Sequence, residues 1–240
     1  MNITVLGSQG PYPGPNGACS GYLLEDEKSN ILLDCGSGIL SRYQKYYDLN
    51  QLKNIILSHL HSDHMTDMLV LRYAADIMLK NKILTEPINV FCPKTPEKVY
   101  EELFFNNVFN IKPIENNLEI SLNGFKILFR KMVHPVETYA VKFIKENKTF
   151  VYSGDTVYNS DLIEFSKEAD ILLCDGNLLN DENGPHLTAA QAAEIAQKAK
   201  CKKLIITHLN PAKPPKLYYD EAREIFDNVI IAKDFETYVL

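Results

Sequence analysis

Apolar residues in this chain fall into short β-type runs, set apart by polar or Gly/Pro-rich segments and by longer stretches with helical spacing. Asn2–Leu6 is apolar and β-rich, and Gln9–Gly17, with three prolines and three glycines, must be a loop. Gly21–Leu24 and Asn30–Asp34, parted by the polar Glu25–Ser29, predict a hairpin. Gly38–Tyr47 suits a helix, Asn54–Ser58 a buried strand, and Thr66–Lys80 carries apolar residues at helical spacing among good helix formers. A strand at Ile88–Phe91 and a helix at Pro96–Phe105 follow, with further helix and strand signals up to Phe125. Ala169–Cys174 reads as a strand, Tyr218–Phe226 as a helix and Asn228–Ala232 as a last β-type segment.

The second half repeats the plan of the first. Tyr139–Ile144 and Thr149–Asp155, parted by the polar Lys145–Lys148, mirror the hairpin at Gly21–Asp34, and both second strands run into an aspartate near glycine. Asn54–Leu60 likewise resembles Lys203–Leu209, each ending in His-Leu. Two related halves, each a sheet with helices, suit an α/β chain folded as a four-layer sandwich with its site where strand ends of both halves meet.

Composition narrows the function classes. At 240 residues and 45% hydrophobic content the chain can build a large core, and no linker-like segment divides it, so one domain over 1–240 is expected. A net charge of −6 and a pI of about 5.6 leave no basic footprint for long nucleic acids. No apolar stretch reaches the length of a membrane span, and the first residues lack the pattern of a secretory signal. The five cysteines are scattered, odd in number and without a Cys-x-x-Cys pair, which suits reduced thiols in a cytoplasm.

The chemistry sits in the histidines. There are six, and His59-Leu60-His61-Ser62-Asp63-His64 puts four potential metal ligands into six residues at the end of an apolar strand. Side chains two apart on an extended segment share a side, so His59 and His61 can hold one ion, and Asp63 and His64 can turn toward a second. His134, Asp155 and His208 again follow β-type runs. Imidazole and carboxylate are the ligands that zinc, manganese and iron accept in hydrolytic sites.

His59-x-His61-x-Asp63-His64 followed by His134, Asp155 and His208 resembles the metallo-β-lactamase-fold hydrolases, and the resemblance runs from Met1 to Leu240. Val5-Leu6-Gly7-Ser8, Leu32–Gly38, Ser153-Gly154-Asp155-Thr156 and His186-Leu187-Thr188 are most similar to the ribonuclease Z branch and its small phosphodiesterase-like relatives. The family fold is the αββα sandwich. The resemblance implies two divalent ions, with zinc the first choice and manganese or iron as alternatives. His59, His61 and His134 would bind one, Asp63, His64 and His208 the other, and Asp155 would bridge them. Two ions about 3.5–4 Å apart activate water and clamp the attacking and leaving oxygens of an in-line displacement.

His186 lies between the turn Asn183-Gly184-Pro185 and a capping box with Thr188 as N-cap, which predicts an Ala-rich helix to Lys200. In the branch it resembles, a histidine in such a His-x-Thr setting is the proposed proton donor to the leaving group, oriented by an acidic residue at the end of a preceding strand; a loop histidine packed against the helix start is the other reading of His186. Asp175 takes that place here, where the branch more often has glutamate; a plain turn residue before Gly176 is the other reading. The expected catalytic residues are therefore Asp63, His186 and Asp175. Asp34 and Asp67 could each support a histidine or serve only the backbone, and Tyr12 and Tyr139 could line the pocket.

The function these features imply is a dinuclear metal hydrolase, foremost a phosphodiesterase for small or cyclic nucleotide-like diesters. The stretch between Phe91 and Phe125 lacks the long Gly/Pro-rich arm of a tRNA-processing enzyme. Ribonuclease Z activity, lactone or thioester hydrolysis, and a non-catalytic metal- and ligand-binding sensor remain as alternatives. The expected partner is a small phosphodiester, not a membrane or a long nucleic acid, and a homodimer is left open.

Overall fold

Residues 1–26 and 29–240 are described in this computed structural model; the centre of the polar connection expected at Glu25–Ser29 lies outside the described residues. The first run of elements is β1 (Asn2–Gly7), β2 (Gly21–Glu25), β3 (Asn30–Leu33), α1 (Ile39–Tyr43), β4 (Asn54–Ile56), α2 (Ser62–Met65), α3 (Met68–Lys80), β5 (Ile88–Cys92), α4 (Glu97–Glu102) and β6 (Phe109–Pro113). The second is β7 (Glu119–Leu122), β8 (Phe125–Lys131), β9 (Tyr139–Lys145), β10 (Lys148–Tyr152), α5 (Ser160–Phe165), β11 (Ile171–Asp175), α6 (Ala189–Lys198), β12 (Leu204–Thr207), α7 (Pro215–Arg223), β13 (Val229–Ile231) and β14 (Thr237–Val239).

The strands form two sheets of seven, ordered β14-β1-β2-β3-β4-β5-β6 and β13-β12-β11-β10-β9-β8-β7. Each sheet has an antiparallel part and a parallel part, which meet at β3–β4 in the first and β10–β11 in the second. The hairpins β2–β3 and β9–β10 therefore occupy equivalent places, as their sequences predict. The likeness of Asn54–Leu60 to Lys203–Leu209 does not follow sheet position. β4 lies beside β3, whereas β11 stands between β10 and β12. Those segments look alike because both are parallel strands, apolar on each face, that end at the same layer of the molecule.

Period-two alternation separates the layers. Ile31 and Leu33 of β3, with Phe150 and Tyr152 of β10, join the core between the sheets. Leu32 faces the opposite way, beneath Ile39 of α1 and Leu71 of α3, and Val151 lies in the core under α5 and α6. The result is the four-layer αββα sandwich. Phe143 stacks on Phe150 and meets Phe125 edge-on in the middle layer. Its truncation to alanine would cost about 3–5 kcal/mol.

Several boundaries differ from the sequence pattern. The helix expected over Thr66–Lys80 is present as one element from Met68, and a separate turn of helix at Ser62–Met65, not expected, precedes it. α1 ends at Tyr43 rather than Tyr47, where a tightened turn takes over with Tyr46 and Tyr47 N–H both bonding to the Tyr43 carbonyl. α7 starts at Pro215, whose fixed φ suits a first helical turn. β14 was not expected: three residues carry no local signal, and only pairing with β1 (Ile3 opposite Tyr238) defines the strand.

Candidate metal centre

The ligand-type residues lie in segments that follow strands of both sheets, β4 in one and β8, β10 and β12 in the other. Past β4 the chain bends at Ser58 and reaches His61, the extended N-cap of α2, before it turns helical. That switch divides the motif. His59 and His61 converge on one point, while Asp63 and His64, inside the turn, face another. His134 follows β8, Asp155 follows β10 through Ser153 and the left-handed Gly154, and His208 (φ 60) ends β12. Asn177 binds the loop behind His208, its amide donating to the carbonyls of His208 at 2.7 Å and Gly10 at 3.0 Å. Gly10 packs so closely on the His208 ring that a Cβ there would stand 2.0 Å from Nε2.

Two quartets of ligand-type atoms result. In the first, His59 Nε2 and His134 Nε2 lie 3.2 and 3.1 Å from His61 Nδ1, and Asp155 Oδ2 is 3.6 Å from His59 and 3.9 Å from His134. In the second, His208 Nε2 stands 3.0 Å from Asp63 Oδ2, His64 Nε2 stands 3.6 Å from the same oxygen, and both nitrogens are 3.4 Å from Asp155 Oδ2. One carboxylate oxygen thus belongs to both groups. A tetrahedral zinc ion with ligands at about 2.0–2.1 Å spaces them about 3.3–3.4 Å apart, close to these values.

The donor chemistry fits cations as well as the spacing does. His64 Nε2 and Asp155 Oδ1 are buried without a hydrogen-bond partner, a costly state for polar atoms unless a cation meets them. His134 Nδ1 donates to the Pro185 carbonyl at 3.0 Å, so the lone pair must sit on the inward Nε2. Burial pulls His59 well below the ordinary histidine pKa, and His61 and His134 downward too, keeping their rings neutral. At His64 burial is outweighed by Asp155, Asp63 and Asp34, which push its pKa well up. For Asp155, burial is overcome by His208, His64 and His59, which hold the carboxyl well below its usual range. These His and Asp residues are positioned for metal binding.

Behind them lie supporting groups. Asp34, fully buried, accepts from His64 Nδ1 at 2.7 Å, the Ser58 hydroxyl and the Tyr152 hydroxyl each at 2.8 Å, and the Ser58 N–H at 2.7 Å. Of its two readings, histidine support is the one observed. Asp67 has the other role: its carboxylate accepts from Leu40 N–H at the start of α1, and no histidine is among its hydrogen-bond partners in the described residues. Tyr12 and Tyr139 do not line the cleft. Tyr12 is half exposed, and Tyr139 is buried with its hydroxyl on Glu137. Ser58, Tyr152 and Asn177 went unnoticed in the sequence, where nothing distinguishes them from ordinary strand-end residues.

His186 sits at the rim of a cleft of about 340 Å³ that also exposes His61, Asp63, His134, Asp155 and His208. Its ring stacks on His208, and Nδ1 is 2.9 Å from Asp175 Oδ2. The aspartate reaches despite its short side chain, because β11 runs on to Asp175 itself and the N–H groups of Thr156 and Asn177 hold the carboxylate in place. Burial lowers the His186 pKa, but Asp175 and then Asp155 outweigh it and push it up to about 9. The capping box is present as expected, with Thr188 and Gln191 bonding each other's backbone N–H.

Comparison with known proteins agrees with the geometry. The β-lactamase superfamily domain matches residues 29–209. The probable metallo-hydrolase YhfI of Bacillus subtilis is 31% identical over 97% of each chain. This chain belongs to the metallo-β-lactamase-fold hydrolase superfamily. The crystal structure of YhfI superposes with a TM-score of 0.94 at 29% identity, covering 99% of this hydrolase and 98% of that chain. Ribonuclease Z of Archaeoglobus fulgidus is 26% identical over 98% of this chain and 96% of its own. Its alignment spans 301 positions against 240 residues here, so that enzyme carries segments this metallo-β-lactamase-fold chain lacks. A diphosphatase of the PhnP family shares the fold, with a TM-score of 0.77 at 19% identity, covering 100% of this chain and 97% of that one. Among the described residues no helix is long and apolar enough to cross a membrane.

Proposed function

We propose that this metallo-hydrolase is a dinuclear phosphodiesterase that cleaves small or cyclic nucleotide-like phosphodiesters. The observation that carries the reading is the sharing of Asp155 Oδ2 by two ligand quartets, with the His186–Asp175 pair on the same rim. His59, His61, His134 and Asp155 would hold one divalent ion, and Asp63, His64, His208 and Asp155 the other. Bound there, such ions supply Lewis acidity and a water-derived nucleophile at neutral pH.

The chain's own groups do the rest. Asp175 holds His186 by Nδ1, which leaves Nε2 without a hydrogen-bond partner among the described residues and free to face a substrate. In the metal-free chain burial lowers the ring's pKa while Asp175 and then Asp155 raise it, to about 9, so the pair favours a protonated ring, whose proton would pass to the departing ester oxygen. The cleft lining contains no lysine or arginine among the described residues, which favours a singly charged diester over a polyanion. A net charge of −6 points the same way, since counterion release normally supplies much of the affinity for long nucleic acids. The segments present in ribonuclease Z and missing here further support a small substrate over precursor tRNA.

Zinc is the first choice of metal, although imidazole and carboxylate sets also accept manganese and iron. Five buried, unpaired cysteines support a reducing compartment, the cytoplasm. Turnover of bis(p-nitrophenyl) phosphate, lost on chelation and restored by zinc or manganese, tests the reading. Tight ligand binding with no turnover of any diester would instead favour a sensor, and efficient 3′ trimming of precursor tRNA would favour ribonuclease Z.

A further inference from the structure

The metal cleft is not the only depression that His186 borders. A second cleft of about 210 Å³, between the loop Glu182–Gly184 and the start of α6, also has His186 in its lining. His186 is common to both linings. Resting on the phosphodiesterase reading, we propose that this second cleft receives the leaving group, and that it is built for an uncharged, hydroxyl-bearing one such as a nucleoside.

Two lines of argument lead there. The first is positional. Hydrolysis joins a water oxygen to phosphorus, breaks the opposite P–O bond and places one proton on the departing oxygen, giving a phosphomonoester and an alcohol. The group that donates this proton must lie beside the departing oxygen. The phosphoryl group belongs with the quartets on one side of His186, so the alcohol lies toward the other. In a cyclic nucleotide the ribose carries both ester oxygens, and the nucleoside therefore occupies the leaving-group side. The two clefts, about 340 and 210 Å³, together fall within the roughly 300–1,000 Å³ of small-ligand sites.

The second line is chemical. Gln191 spends Oε1 on the Thr188 N–H, which leaves the two N–H bonds of its amide uncommitted among the described residues. Asn183 brings a second uncommitted amide at the mouth. Glu182 uses Oε2 for the Leu179 N–H and Lys213, so Oε1 stays open to a hydroxyl. Val157 and Leu178 add apolar surface. Donors, an anionic acceptor and apolar walls suit a ribose and base; a carboxylate on ribose hydroxyls is a recurrent pairing.

Gln191→Glu tests this without disturbing the helix, because glutamate serves the capping box equally well. It removes the two free donors and adds a charge. Asn183→Trp, at an exposed loop position, obstructs the mouth by bulk. Metal-loaded wild type and both variants are compared on 3′,5′-cyclic AMP and on bis(p-nitrophenyl) phosphate, whose leaving group carries no hydroxyl. The expected result is a rise of about tenfold in KM for cyclic AMP in Gln191→Glu, the scale of an unmade hydrogen bond, with kcat/KM for the p-nitrophenyl diester within about twofold. Asn183→Trp, which narrows the cleft for any leaving group, should weaken turnover of both substrates. Losses in Gln191→Glu that are equal on both substrates or absent on cyclic AMP overturn the assignment, as does an Asn183→Trp variant that leaves both substrates untouched. A wild type active on the p-nitrophenyl diester alone overturns the nucleoside as occupant, whereas one inactive on both overturns the phosphodiesterase reading itself.

Discussion

Asp34 and His64 meet inside the core at 2.7 Å, carboxylate Oδ2 to ring Nδ1, and this contact turns His64 Nε2 toward Asp155. Asp34 reaches it from a left-handed backbone conformation, φ 59, at the end of β3. Asparagine tolerates that conformation, so Asp34→Asn isolates the charge from the backbone. Metal affinity in Asp34→Asn should fall by roughly 10–100-fold, the usual worth of such support. Competition with a chromogenic chelator measures it, with thermal melting as the check on the fold. Unchanged affinity would show that His64 needs no orienting partner.

Removing ligands should reveal the shared oxygen. His59→Ala and His64→Ala should each lose one metal and most activity, since each empties one quartet. Asp155→Ala should lose both, because Oδ2 serves the two quartets at once. Elemental analysis of purified variants decides the matter, and two metals per chain in any of them would remove that residue from the ligand set.

His186 lies outside both quartets, so His186→Ala should keep its metals. Turnover of diesters with poor leaving groups should fall by roughly 10²–10⁴, whereas p-nitrophenolate, which leaves without a proton, should suffer far less. Asp175→Asn should show a weaker version of that selectivity, as it disturbs the orientation of His186 without deleting it. Steady-state kinetics on paired substrates is the readout. Metal loss in His186→Ala would place that residue among the ligands.

The His186–Asp175 pair also makes metal-free stability depend on pH. Burial lowers the His186 pKa, but Asp175 and Asp155 raise it from 6.5 to about 9. A raised folded-state pKa stabilises fully below the unfolded value and loses that contribution as pH climbs through the folded one. The stability difference between chelated wild type and chelated His186→Gln should therefore be constant below about pH 6 and shrink between roughly pH 6.5 and 9. Denaturant melts across that range test it. A difference that grows with pH would mean the imidazole is buried neutral. Bound cations nearby repel the proton, so NMR titration should find a lower His186 pKa after metal addition than before.

Local pattern determined much of this protein. Period-two runs specify the strands, Thr188 with Gln191 specifies the start of α6, and the dense motif His59–His64 announces a metal site, because each depends only on neighbouring residues. Covalent order could not decide what depends on distant partners. β14 exists only because β1 offers an edge, and Asp34 and Asp67, identical in chemistry, diverge because one meets His64 and the other the start of α1. Nor does spacing reveal that Asn177 binds the loop behind His208, or that Asp175 is long enough for His186. Those outcomes rest on where strands of two sheets end in space, and that is set by packing of the whole core rather than by any segment of the chain.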